Sequence, residues 1–122
     1  MSKFSTIPAV AVESSQVWLA LIESGSYAKA WEGAAASMHS CITQSDFEKG
    51  MQSIRAPLGK VVARDTKSER YVTHLPGLPE GEYWLVFYTT AFEKKPDADE
   101  SVVLALEQDG KWRVAGYTLP DA

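Results

Sequence analysis

The apolar positions of this chain follow two periods, and the change comes near its middle. From about Ala9 to Ser24, Val17, Trp18, Leu21 and Ile22 recur at helical spacing and predict an amphipathic helix. Pro8 suits its first turn, where a missing N–H costs nothing, and Gly25 is placed as the residue that ends it. Ser26 then stands as the cap of a second helix, on which Tyr27, Trp31, Ala34, Ala35 and Met38 share a face. Ser45-Asp46-Phe47-Glu48 reads as a capping box, and Phe47, Met51 and Ile54 form the apolar stripe of a third helix. Pro57 disfavours helical geometry at Ala56, so that helix should end near Arg55.

Beyond Gly59 the period becomes two. Gly59 to Leu75 predicts one long strand, bent or bulged around Asp65 to Glu69. The turn-rich Leu75 to Gly81 leads into Gly81 to Phe92, a nearly unbroken run of β-branched and aromatic residues. Tyr83, Leu85, Phe87, Thr89 and Ala91 face one way on it; Trp84, Val86, Tyr88, Thr90 and Phe92 face the other. A strand with one wet face alternates apolar with polar. This one does not, so both of its faces need cover. Lys94 to Glu100 predicts a polar hairpin loop, and Ser101 to Glu107 a third strand. Asp109-Gly110 predicts a type I′ turn into a last strand, Trp112 to Leu119. On that strand Ala115, Tyr117 and Leu119 share one face, while Trp112 and Val114 lie on the other. The fold expected is α+β: three N-terminal helices packed on a curved four-stranded antiparallel sheet. It fills one domain, residues 9–119, between a flexible stretch 1–8 and a short tail 120–122.

Composition narrows the function classes. A chain of 122 residues can bury a core without disulfide or metal staples. The single cysteine, Cys41, cannot form an internal disulfide, and with only His39 and His74 beside it no zinc site is expected. Cys41 is expected to be a buried, inert thiol. The net charge is −4, and residues 62–122 carry eleven acidic side chains against seven basic ones. No basic stripe is present, which argues against nucleic acid as a partner. The chain has no 18-residue apolar run and no export signal after Met1, so neither a membrane span nor a leader is expected. Phosphate loops, nucleophile elbows and His-Glu-x-x-His helices are missing, and no cofactor is expected.

Four motifs carry a resemblance. They are Arg55-Ala56-Pro57-Leu58-Gly59; Leu75-Pro76-Gly77 with Gly81-Glu82-Tyr83; Tyr88-Thr89-Thr90-Ala91-Phe92; and Asp109-Gly110-Lys111-Trp112-Arg113-Val114-Ala115-Gly116-Tyr117. In their order and spacing, with Trp18 and Trp31 before them, residues 9–119 resemble the bacterial domain of unknown function 4019. The resemblance implies a cystatin-like or NTF2-like cone of helices on a curved sheet. It implies an exported bacterial protein where a signal has been trimmed, and a cytoplasmic one otherwise. It implies no activity and no catalytic residue.

Two functional readings remain. In the first, the chain is a binding and assembly module. The sheet face bearing Trp84, Val86, Tyr88 and Leu104 pairs with a second copy in a homodimer, and a small apolar ligand occupies the cone near Trp31, Arg55, Tyr71 and Tyr88. In the second, an NTF2-like isomerase, lyase or hydrolase uses Asp65 and His74 as acid–base groups. Their odd offset of nine places them on opposite faces of an unbroken strand, and only a bulge restores a common face. Arg55 has a second reading as a C-terminal helix residue answering the helix dipole, and the four tryptophans as core.

Overall fold

In the computed structural model, which describes residues 7–120, four α-helices precede a four-stranded antiparallel sheet. The helices are α1 (Ile7–Glu23), α2 (Tyr27–Glu32), α3 (Ala36–Cys41) and α4 (Gln44–Arg55), with a 3₁₀ turn at Ala56–Leu58. The strands are β1 (Val61–Val72), β2 (Tyr83–Phe92), β3 (Lys95–Leu106) and β4 (Trp112–Thr118), hydrogen-bonded in chain order. Residues 1–6 and 121–122, expected to be a flexible start and tail, lie outside the described residues.

α1 ends in a Schellman motif. Gly25 takes φ 77°, its N–H donates to Ile22 O, and the Ser26 N–H donates to Leu21 O. Ser26 does precede α2, but its side chain makes no capping bond. The single second helix expected from Tyr27 to Met38 is two. Ala35 is extended, and its N–H donates at 2.8 Å to Val114 O on β4. A backbone bond to the sheet has replaced one within the helix. α4 starts earlier than the Ser45 box suggested: Thr43 is the cap, accepting from the Asp46 N–H. It ends at Arg55 as expected, although Ala56 keeps helical dihedrals and the chain tightens into the 3₁₀ turn.

Three register shifts in the sheet matter. β1 is bulged between Thr66 and Ser68, inside the stretch where a bulge was expected. Between Thr90 and Phe92 a second shift accommodates Pro96, so Lys95 to Glu100 is strand and not the hairpin loop its composition suggested. β4 pairs with β3 only from Ser101 onward, so at Pro96 no β4 partner needs the missing N–H. The third shift, between Val103 and Leu104, changes the parity of β4. Tyr117 therefore lies opposite Val102, on the same face as Trp112 and Val114, and not apart from them as unbroken alternation implied. The β3–β4 turn is also longer than a type I′ pair. Gly110 N–H donates to Glu107 O and Glu107 N–H to Lys111 O, which closes a three-residue loop with Gly110 at φ 82°.

The core forms between the helices and one sheet face, with Trp18, Leu19, Met38, Phe47 and Met51 against Val86, Val102, Leu104 and Val114. No helix covers the opposite face. There Leu85, Phe87, Ala91, Val103 and Ala105 are half-buried, and Thr89 and Asp99 are exposed.

Candidate functional site

The register brings four polar residues together in the core. Arg64 on β1 is the partner of Thr90 on β2, Glu100 on β3 lies diagonally across from Thr90, and Tyr117 follows from β4. The Glu100 side chain is wholly buried. Its Oε1 accepts from Arg64 Nε at 2.8 Å and from Thr90 Oγ1 at 2.6 Å, while Oε2 accepts from the Tyr117 hydroxyl. Two residues close the cluster from the helix side. Glu23, in the last turn of α1, meets Arg64 at 2.9 Å (Oε2 to Nη2) and 3.2 Å (Oε1 to Nη1). Only the second contact is aligned for a hydrogen bond; the first is Coulombic. Arg55, at the end of α4, stands 3.7 Å from Glu23 and 3.9 Å from Glu100, with its guanidinium 4.9 Å over the Phe92 ring.

Two guanidinium and two carboxylate groups make the cluster neutral, which is the condition for burying it. Burial on its own would raise the Glu100 carboxyl, but the bonds and charge of Arg64, with Thr90 and Tyr117, hold it below the ordinary range. Burial would likewise lower Arg64, and its bonds to Glu23 and Glu100 raise it instead. Tyr117 is raised by burial first and then by the adjacent Glu100 charge. Tyr88, in the same region, is raised by burial, while its 2.5 Å hydroxyl contact with Ser15 of α1 opposes that shift. All these groups hold their neutral-pH charge states firmly. The cluster ties four strands and two helices together.

The hydrogen bonds are unevenly shared. Arg64 takes most of those the carboxylates offer, whereas Nε and Nη1 of Arg55, like Nη2 of Arg64, have no hydrogen-bond partner among the described residues. Arg55 forms part of the wall of a 490 Å³ cleft between the end of α1, the start of α2, and the α4–β1 connection. Ile22, Glu23, Tyr27, Lys60 and Val61 line it with Arg55. Gly59 shapes this connection. It sits at φ 76°, and a Cβ there would meet Glu93 Oε1 at 2.8 Å, an atom that accepts the Lys60 N–H.

The residues singled out from sequence fall in different places. Asp65 is exposed on β1 and His74 exposed in the β1–β2 loop. The Thr66/Ser68 bulge restores a common parity, but the strand from Asp65 to Val72 alone spans roughly 20 Å, so the structure does not bring the two together. Trp31 is half-buried, donates to Ile42 O, and packs against the His39 ring at 4.3 Å with the planes tilted by 40°. Tyr71 donates to Glu82 near the end of β1. Trp84, Val86, Tyr88 and Leu104 require a correction: all four are buried beneath the helices, so they are core and not a surface open to a second copy. Alternation grouped the residues correctly, but it could not say which group the helices cover. Cys41 is corrected too: it is exposed, at the end of α3.

Glu100 was legible from parity, since it alternates inward with Val102 and Leu104; the acidic run around Pro96 disguised the strand. Nothing in the sequence pairs it with Arg64. Among the described residues no helix is long and apolar enough to cross a membrane, and no three His, Cys, Asp or Glu residues are grouped to hold a metal ion.

Fold and cluster together define a small α+β protein with a buried ionic tie and an adjoining cleft. The chain belongs to the family described as Protein of unknown function (DUF4019), whose model matches residues 14–117. Comparison with curated proteins returned no match.

Proposed function

We propose that this protein is a binding and assembly module, not an enzyme, and that it pairs with a second copy through the helix-free face of its sheet. One observation carries the reading: Leu85 and Phe87 of β2 and Val103 and Ala105 of β3 form a half-exposed apolar patch on the sheet face that no helix covers. Arg70 lies beside Leu85 at its edge, and Lys67 and Asp99 meet each other at 3.7 Å, so the patch has a charged rim. Helices on one face and a self-pairing sheet on the other would be a cystatin-like or NTF2-like arrangement. A ligand in this reading occupies the cleft at the edge of the helix layer, because side chains fill the space between helices and sheet.

Light scattering coupled to size exclusion tests the reading. The wild type should run near 27 kDa, twice the 13.4 kDa chain mass. Phe87→Glu should run as a monomer. The comparison variant is Val17→Glu, in a second apolar groove between α1 and the β3–β4 turn where Val10 and Val17 are exposed. A wild-type monomer, or a dimer broken by Val17→Glu and not by Phe87→Glu, overturns the sheet interface.

A further inference from the structure

We propose that the groove between α1 and the β3–β4 turn binds a neutral, largely apolar small molecule through one acceptor oxygen. Three of the four indole N–H groups are bonded within the fold: Trp18 donates to Ala30 O, Trp31 to Ile42 O and Trp84 to Glu69 Oε1. Trp112 donates to nothing among the described residues, although only 7% of its surface is exposed. Its Nε1 is not one of the unpartnered atoms closed to water, so the little exposure the residue keeps includes this donor. A shielded N–H that the fold leaves unbonded is answered by an acceptor from outside.

Trp112 lines a 530 Å³ groove, within the range that holds small organic ligands. Its α1 wall is a helical stripe, Val10, Ser14, Val17 and Leu21, spaced i, i+4, i+7 and i+11. Val10 is 48% exposed and Val17 59%, an apolar rim that gains by being covered. Trp18 and Val114 continue the apolar lining, and Gly33 and Gly110 put no side chain into the space. Charge selects against ions. Glu13 and Lys111 stand exposed along the groove with opposite signs, and the Arg113 guanidinium is taken by Glu107 and Asp109. With no excess of either sign, the free donor of Trp112 is best met by a neutral carbonyl or ether oxygen. The groove shares no lining residue with the cleft at Arg55 and lies on the helix side of the sheet, so it stands apart from the sheet interface as well.

An NMR titration of isotope-labelled protein, followed at the indole N–H signals, tests this with acetophenone, ethylbenzene and benzoate. Acetophenone should move the Trp112 indole signal to saturation and shift the amides of Val17 and Lys111. Ethylbenzene has the same ring without the oxygen and should bind at least about threefold more weakly. Benzoate, which brings a charge, should bind weakest. Val17→Glu, at an exposed position, should abolish binding, whereas Phe87→Glu on the helix-free face should leave it unchanged. Trp112→Phe keeps a ring and removes the donor, so it should bring acetophenone down to the affinity of ethylbenzene. The other two variants and the ligand series decide the matter even where Trp112→Phe fails to fold. Equal binding of ethylbenzene, benzoate binding as tightly as acetophenone, undiminished binding in Val17→Glu, or its loss in Phe87→Glu would each overturn the proposal.

Discussion

Arg64 Nε lies 2.8 Å from Oε1 of Glu100, although their strands are separated by the whole of β2. The backbones stand roughly 10 Å apart, and the pair closes only because both long side chains reach over Thr90, which donates to the same oxygen. This bond makes β1, β2 and β3 one cooperative unit at the polar end of the core.

Removing one member should therefore cost far more than a surface pair would. Glu100→Gln is expected to lower unfolding free energy by about 3–5 kcal/mol, because Arg64 and Arg55 lose a buried counter-charge. Urea denaturation measures it. The double variant Glu100→Leu/Arg64→Met should recover much of that loss, since an apolar replacement leaves fewer charges stranded. A double variant no more stable than Glu100→Gln would contradict this account of the cluster.

Stability should fall at both ends of the pH scale for reasons seated in this cluster. Glu100 titrates below its ordinary 4.5 in the folded chain, so its contribution is present above that value and is lost as pH falls through the lower folded value. Tyr117 and Tyr88 titrate above their ordinary 10.0, so their contribution is complete below that value and is lost as pH rises through the raised folded values. Urea midpoints across pH should form a plateau with an acid and an alkaline shoulder. In Tyr117→Phe the alkaline shoulder should shrink while the acid one persists.

Gly59→Ala is expected to destabilise by about 1–3 kcal/mol, the strain of a left-handed conformation joined to a clash with Glu93. Pairing it with Glu93→Gly, which removes both the Oε1 and the Cβ contact, should relieve the clash and leave the backbone strain. Thermal unfolding of the four proteins in that cycle separates the two contributions.

Cys41 should react with a thiol reagent at the rate of an open cysteine under native conditions, without prior unfolding. Labelling that needed denaturant would place the thiol elsewhere.

Local chemistry settled much of this protein before any tertiary contact. Gly25 ends α1, α4 tightens into a 3₁₀ turn after Arg55, and β-branched alternation sets out β2, since each depends on neighbours within a few residues. The motifs from Arg55 to Tyr117 likewise sufficed for the family. Tertiary structure decided the rest. A bond from Ala35 to Val114 split one helix into two, and the Val103/Leu104 shift turned Tyr117 toward Glu100. The helices chose the face carrying Trp84 and Tyr88. Both faces of β2 are apolar enough to be buried, so hydrophobic pattern alone is degenerate between them. The bulges and the Arg64–Glu100 tie, which join residues 36 positions apart, break that degeneracy.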